Sequence, residues 1–245
     1  TEPSMDENGI VSEAKQRELI HGYMASVSFI DAQVGMILDH LESTGMDENT
    51  VVVFFGDHGW HLGDDGLWNK HSYFEEATRT PLLFKSPDIG GVFVNDSPVE
   101  LLDIFPTVCT LAGIPKPDDL DGISLVPILE KKSEYLRDFA ISQYPRRCNV
   151  MRSVIGRYPD DCTLMGYAVR NEKYRYVAWI SGDFEDRSDF NNDEIVMEEL
   201  YDYEIDPLET KSYASDASYQ KVKEEMIKDL RSCLLYTSDA ADERQ

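Results

Sequence analysis

The chain has 245 residues, 42% hydrophobic and 29% charged, a globular composition with room for one large domain or for a medium and a small one. With 23 basic against 47 acidic residues the formal net charge is -24. That sets nucleic acid and anionic membrane surfaces aside as partners and obliges any anionic ligand to find a local positive site. No stretch approaches the ~18–20 uninterrupted apolar residues of a membrane span, and the opening TEPSMDENG has neither the basic nor the apolar region of a signal peptide.

Over residues 13–41 the apolar side chains, among them Leu19, Tyr23, Val27, Ile30, Val34, Ile37 and Leu41, recur at helical spacing. The pattern predicts a long amphipathic helix facing a core and punctuated by Gly45. The run 51–55 is short, β-branched and apolar on both faces, which predicts a central parallel strand covered by helices. A second strand at 81–84 follows at a distance that suits a crossover connection. Residues 99–112 predict another core helix, closed by Gly113 and Pro115. Together these elements point to an α/β layer.

Residues 115–121 turn to proline and acid, as a surface loop does, and beyond about residue 131 the pattern changes. Residues 139–144, 165–170 and 174–180 are strand-like, the last two separated by Asn171-Glu172-Lys173 as in a hairpin. A short strand at 199–203 and an amphipathic helix at 218–230 complete a smaller α+β subdomain with an antiparallel sheet, spanning 131–231. Residues 232–245 relate to nothing before them and read as a translated cloning adaptor.

Among the cysteines, Cys109 lies in the apolar run IFPTVCTLAGI and is expected as a buried small hydrophobe. Cys148 and Cys162 flank one loop, where a disulfide and two free thiols are both open. Asn95-Asp96-Ser97 has the form of a glycan acceptor, with Pro98 following.

The chemistry gathers where the apolar run ends, in FFGDHGWHLGDDGLWNK, residues 54–70. In open α/β sheets ligands bind beyond the carboxyl ends of strands, and Gly56 and Gly59 allow the backbone to turn sharply there. Asp57 and His58 suit metal ligation or acid/base work; a helix-capping aspartate beside a hydrogen-bonded histidine would look the same. Delivery by a fully apolar strand favours the functional reading, because burial makes an uncompensated pair costly. Lys70 alone reads as a solvated surface charge, but for a doubly charged oxyanion it is a ready point-charge donor.

GDHGWHLGDDGLWNKHSYFEEATRTPLLF resembles the sulfatase family of the alkaline-phosphatase-like superfamily, in its iduronate-2-sulfatase branch. The likeness continues through YMASVSFIDAQVGMILDHLE, DIFPTVCTLAGI, DGISLVPIL, ISQYPR, LMGYAVRNEKYRYVAWI and ELYDYEIDPLE, and so covers the chain to about residue 230. The resemblance implies an alkaline-phosphatase-like, mostly parallel sheet flanked by helices, of which residues 1–130 would be the C-terminal part. It implies hydrolysis of a sulfate ester, the 2-O-sulfate of a uronic acid in heparan- or dermatan-type glycans, in a lysosomal, periplasmic or extracellular setting. In that family a formylglycine made from a C/S-x-P-x-R motif is the nucleophile and Ca2+ holds the sulfate. By position, Asp57 and His58 match metal ligands, with His58 also beside the sulfate as a catalytic group, and Lys70 matches the sulfate-binding lysine. Trp60 and His61 fall at the rim of the substrate pocket. Arg170 matches a substrate contact or a structural ion-pair partner.

The sequence departs from the family in having no C/S-x-P-x-R: Cys148-Asn149-Val150-Met151-Arg152 lacks proline at its third place. The paired N-terminal aspartates of the metal site are missing too. The chain therefore resembles the C-terminal part of a sulfatase and is expected to be inactive alone. Asp64-Asp65 stands where relatives carry Glu-His or another basic residue, which would weaken anion binding unless the loop is simply solvated. A nitrogen ligand such as His58 is less natural for calcium than for zinc. This keeps a metal-dependent phosphodiesterase or phosphonate hydrolase of the same superfamily open, as well as a non-catalytic sulfated-glycan binder.

Overall fold

The computed structural model describes residues 11–147, 163–181 and 195–242, so Cys148 and Cys162 lie outside the described residues. The chain divides into two compact units, Thr1–Val94 with Leu101–Ser133, and Asn95–Glu100 with Glu134–Gln245. No helix among the described residues is long and apolar enough to cross a membrane.

The first unit opens with α1, Glu13–Ser43. Ser12 caps it by accepting from Lys15 N–H at 3.4 Å, while Glu13 in the first turn and His40 in the last complement the helix dipole. Thr44 N–H closes the last turn on His40 O, and Gly45 leaves the helix at φ 69°. The apolar stripe is present but uncovered: no residue of α1 is buried, and Met24, Phe29, Met36 and Ile37 are each more than half exposed.

Strand β1, Val52–Phe55, pairs with β4, Leu82–Lys85, in a two-stranded antiparallel ribbon in which Val53 faces Phe84 and Phe54 faces Leu83. This corrects the expected central parallel strand. An apolar run fixes neither the direction of its partner nor the number of its neighbours, and the segment joining the two strands is no helical crossover. It holds a small hairpin, β2 (His61–Leu62) with β3 (Trp68–Asn69), and a one-turn helix α2, Glu75–Thr78. Phe54, Phe55 and Leu83 remain exposed.

The expected helix at 99–112 is a 3-10 turn, Leu101–Asp103, leading into α3, Ile104–Leu111. Asp103 is fully buried because its carboxylate accepts from Ile123 N–H at 2.9 Å, and Thr107 Oγ1 accepts from Leu125 N–H at 2.8 Å. These bonds draw the loop after Asp121 so close that a Cβ on Gly122 would fall 2.1 Å from Leu102 O. A last short helix, α4, spans Val126–Leu129, and Cys109 is a free, buried thiol as expected.

The second unit is built on a four-stranded antiparallel sheet of β5 (Ala140–Arg147), β6 (Thr163–Arg170), β7 (Tyr174–Ile180) and β8 (Ile195–Asp202), in that order. The hairpin read at 171–173 forms because the Asn171 side chain accepts from the N–H groups of Lys173 and Tyr174 at 3.0 and 2.8 Å. Helix α5, Gln220–Asp242, lays Met226, Leu230 and Leu234 against Tyr167, Val169, Tyr176, Ala178, Ile180 and Leu200. It thus runs past residue 230 into the segment read as extraneous, and Leu234 of that segment belongs to the core cluster.

Arg175 and Glu209, both side chains 1% exposed, form an ion pair at 2.6 Å, joined by Tyr203 Oη, which lies 2.8 Å from Arg175 Nε and 2.6 Å from Glu209 Oε1. Burial and the adjacent Glu198 carboxylate push the Tyr176 hydroxyl well above the usual phenol range. Asn95 donates to Glu134 O at 3.0 Å and accepts from Ser97 N–H at 2.9 Å, so its amide serves as a local tie.

Candidate active site

Beyond the last residue of β1 the chain makes two close approaches. Gly56 N–H donates to Pro81 O at 3.0 Å, and Gly59 N–H donates to Ala77 O at 2.8 Å. A Cβ at Gly59 would lie 1.9 Å from Glu76 O, so only glycine lets the strand tip seat on α2. Asp57 and His58 are held in the short arc between these two anchors.

His58 Nδ1–H donates to Gly59 O at 2.9 Å, which leaves Nε2 as the lone-pair nitrogen. That nitrogen accepts from the Lys70 ammonium at 2.6 Å and stands 3.6 Å from Asp57 Oδ2. A carboxylate, an imidazole lone pair and an ammonium thus meet at one partly exposed point, the Asp57 side chain 80% and the His58 side chain 31% accessible. The Trp60 ring lies 6.3 Å from the His58 ring with its planes tilted by 31°, and Trp60 is exposed beside the cluster.

Lys70 is delivered by the β2–β3 hairpin. Its turn is tight: Gly63, Asp65, Gly66 and Asn69 all have positive φ, those of Asp65 and Asn69 being 52° and 80°. Non-glycine residues in this region carry strain and persist where the surroundings fix them. Asp64 takes part in the turn by accepting from Leu62 N–H at 3.4 Å, so it serves the backbone of the loop.

Of the residues singled out in the sequence, the fold brings Asp57, His58, Trp60 and Lys70 together. His61, read as a rim residue, is 1% exposed and bonds Ser72 Oγ through Nε2 at 2.6 Å. Its ring packs edge-on to Phe74 at 6.2 Å and is shut off from solvent, which corrects its expected place at an open rim. Arg170 belongs to the second unit, where its guanidinium stacks 4.0 Å from the Tyr203 ring centre. Ser72 was missed in the sequence, where a serine one residue past His71 gives no sign of a buried histidine partner.

For a metal ion, Asp57 offers a hard oxygen and His58 an unprotonated nitrogen, 3.6 Å apart and so within the span of a single cation. The Lys70 ammonium at Nε2 already shows that the spot accepts positive charge. Among the described residues no group of three or more His, Cys, Asp or Glu gathers into a metal cluster. The pair therefore fits as one side of a coordination shell, with the remaining ligands to come from other residues.

Comparison with known proteins gives a consistent result. A family model described as Sulfatase matches residues 3–114, and one described as N-sulphoglucosamine sulphohydrolase, C-terminal, matches residues 63–234. The iduronate 2-sulfatase of Mus musculus is 30% identical over 86% of this chain and 46% of its own length. A solved 2-O GAG sulfatase superposes with a TM-score of 0.75 at 28% identity, covering 96% of this chain and 46% of the other. The phosphonate monoester hydrolase of Agrobacterium radiobacter superposes with a TM-score of 0.65 at 27% identity, covering 85% and 40%. The chain thus spans under half the length of these proteins, and its α/β architecture is the alkaline-phosphatase-like fold of its structural neighbours.

Proposed function

Because the chain belongs to the sulfatase family, we propose that the protein of which it is part hydrolyses sulfate esters, its substrate the 2-O-sulfate of uronic acid residues in heparan- or dermatan-type glycosaminoglycans. The observation that carries the reading is the meeting of Lys70 Nζ with His58 Nε2 at 2.6 Å, beside Asp57, at a strand tip. In a chain of net charge -24, an ammonium held at the mouth of a site is what a doubly charged oxyanion needs. Relatives whose names specify position 2, among them the mouse enzyme and the 2-O GAG sulfatase, support the substrate.

In this mechanism Lys70 exchanges His58 for a sulfate oxygen and stays beside the charge that spreads over the sulfate as its ester bond breaks. Asp57 and the Nε2 of His58, freed by that exchange, would hold a Ca2+ ion, which supplies Lewis-acid polarisation of the sulfate when bound. The exposed Trp60 ring offers an apolar face to the sugar. Arg170, already stacked on Tyr203, is assigned to structure. These 245 residues contain no C/S-x-P-x-R, so in this reading the formylglycine nucleophile belongs to the rest of the full-length protein and the 245-residue chain alone is inactive.

The test is sulfate release from a 2-O-sulfated uronate disaccharide by the full-length protein, with and without Ca2+. Lys70→Ala and a Cys/Ser→Ala change at its C/S-x-P-x-R motif serve as controls. Calcium-dependent release, abolished in both variants, is expected. The imidazole in the donor pair and the likeness to the phosphonate hydrolase favour one alternative, metal-dependent cleavage of phosphonate or phosphate esters. Release from a phosphonate monoester with zinc or manganese, and none from the sulfated disaccharide, would establish it. Sulfated-glycan binding without turnover by a protein lacking the nucleophile would leave a lectin-like role instead.

A further inference from the structure

His61 grips the chain on both sides of the sulfate-binding lysine. Its backbone is paired with Asn69 in the β2–β3 hairpin, one residue before Lys70, and its ring bonds Ser72 Oγ at 2.6 Å, two residues after. Ser72 is itself fixed: its N–H donates to Lys70 O at 2.9 Å and its Oγ accepts from Phe74 N–H at 3.2 Å, which leaves the hydroxyl one more bond to share with His61 Nε2. His61 is 1% exposed and Ser72 8%, so water competes little for the bond. At the first grip the backbone turns through Asn69 at φ 80°, a conformation that needs holding.

We propose that His61 is a positioning residue for Lys70, acting through Ser72, and that the His61–Ser72 bond sets where the ammonium stands relative to His58 and the oxyanion. The inference rests on the reading of Lys70 as the sulfate donor. A lysine side chain on an exposed hairpin samples many rotamers, and the entropy of fixing it weakens every bond it makes. A clamp on both sides of its Cα removes the backbone share of that cost before the ligand arrives.

The experiment uses the full-length protein with Lys70→Ala, His61→Ala, Ser72→Ala and Ser72→Thr. Ser72→Ala removes the same bond for the loss of one oxygen, so the link stays open to test should His61→Ala fold poorly. In the calcium-loaded protein, inorganic sulfate affinity is measured by calorimetry. Loss of roughly tenfold is expected in His61→Ala and Ser72→Ala, the scale of one misplaced charge-assisted bond, with recovery in Ser72→Thr. Adding Ser72→Ala to Lys70→Ala should cost nothing further, because the clamp acts only through the lysine. In the calcium-free protein, selective 15N labelling of histidine reports His58 Nε2. Its resonance should move in Ser72→Ala in the direction it moves in Lys70→Ala.

An unmoved His58 resonance in Ser72→Ala, or an equal loss of sulfate affinity with and without Lys70, would overturn the proposal. If the wild type fails to bind sulfate while His58 still responds to Ser72→Ala, the sulfatase reading falls and the clamp stands.

Discussion

The two units spend their apolar residues differently. In the second, Leu164, Val169, Tyr176, Val177, Ile180, Leu200 and Leu230 are fully buried, and the four strands pair through the sheet while α5 closes one face. In the first, the α1 stripe and Phe54, Phe55 and Leu83 of the β1–β4 ribbon lie open, and polar anchors such as Asp103, Thr107, His61 and Ser72 are buried beside scattered apolar residues such as Tyr73, Cys109 and Ile128. An antiparallel sheet made of sequence neighbours carries its partners with it, whereas an α/β layer draws on strands far apart in the chain. The second unit is thus a closed core, and the first keeps much of its apolar surface outside.

Removing one partner of the buried pair should break the comparison most severely. Glu209→Ala takes away the carboxylate that meets the buried Arg175 guanidinium at 2.6 Å in the second unit, and a loss of about 3–5 kcal/mol is expected by urea denaturation. Leu230→Ala opens a cavity in the same core and should cost about 2–5 kcal/mol. Gly59→Ala drives a methyl into Glu76 O, and the first unit should lose about 1–3 kcal/mol as the strand tip parts from α2. If Lys70 belongs to the same site, sulfate affinity falls with it. Ile37→Ala, on the open stripe, should change the stability of the 245-residue chain by less than about 0.5 kcal/mol. A cost like that of Leu230→Ala would show the stripe already covered and end the contrast.

The smallest effect concerns Asp229 on α5. Burial, with the Asp138 charge second, raises its carboxyl above the ordinary value of 3.8. The folded state then holds its proton more tightly than the unfolded one, so this group favours folding at low pH and opposes it once both states are ionised. Asp229→Asn should raise the unfolding midpoint at neutral pH, and the gain should vanish as the pH falls through the carboxylate range. A gain that persists in acid would point to a cause other than charge.

Legibility in the sequence followed the same division. The β6–β7 hairpin could be read from Asn171 and two flanking alternations, because its contacts are local. The direction of β1 could not, since Val52–Phe55 is equally apolar on both faces and its partner lies beyond a hairpin and a helical turn. That Asp57, His58 and Lys70 come together was legible from their place after an apolar strand and from the resemblance. His61 was misplaced at the rim because an imidazole among polar loop residues gives no sign of its burial, which depends on Ser72 and Phe74 arriving from the far side of the hairpin.

The loop after β8 holds its course through several ties. Asp206 accepts from Thr210 Oγ1 at 2.9 Å and from Lys211 N–H at 3.0 Å, Glu209 turns inward at φ 55° to meet Arg175, and Tyr213 N–H returns to Leu200 O at 2.7 Å. A protease needs an extended, unsupported segment, and this stretch offers one only after the Arg175–Glu209 pair has opened. In a protease-rich compartment the time before the polypeptide is nicked there is then set by the joint opening of these ties, the buried ion pair among them.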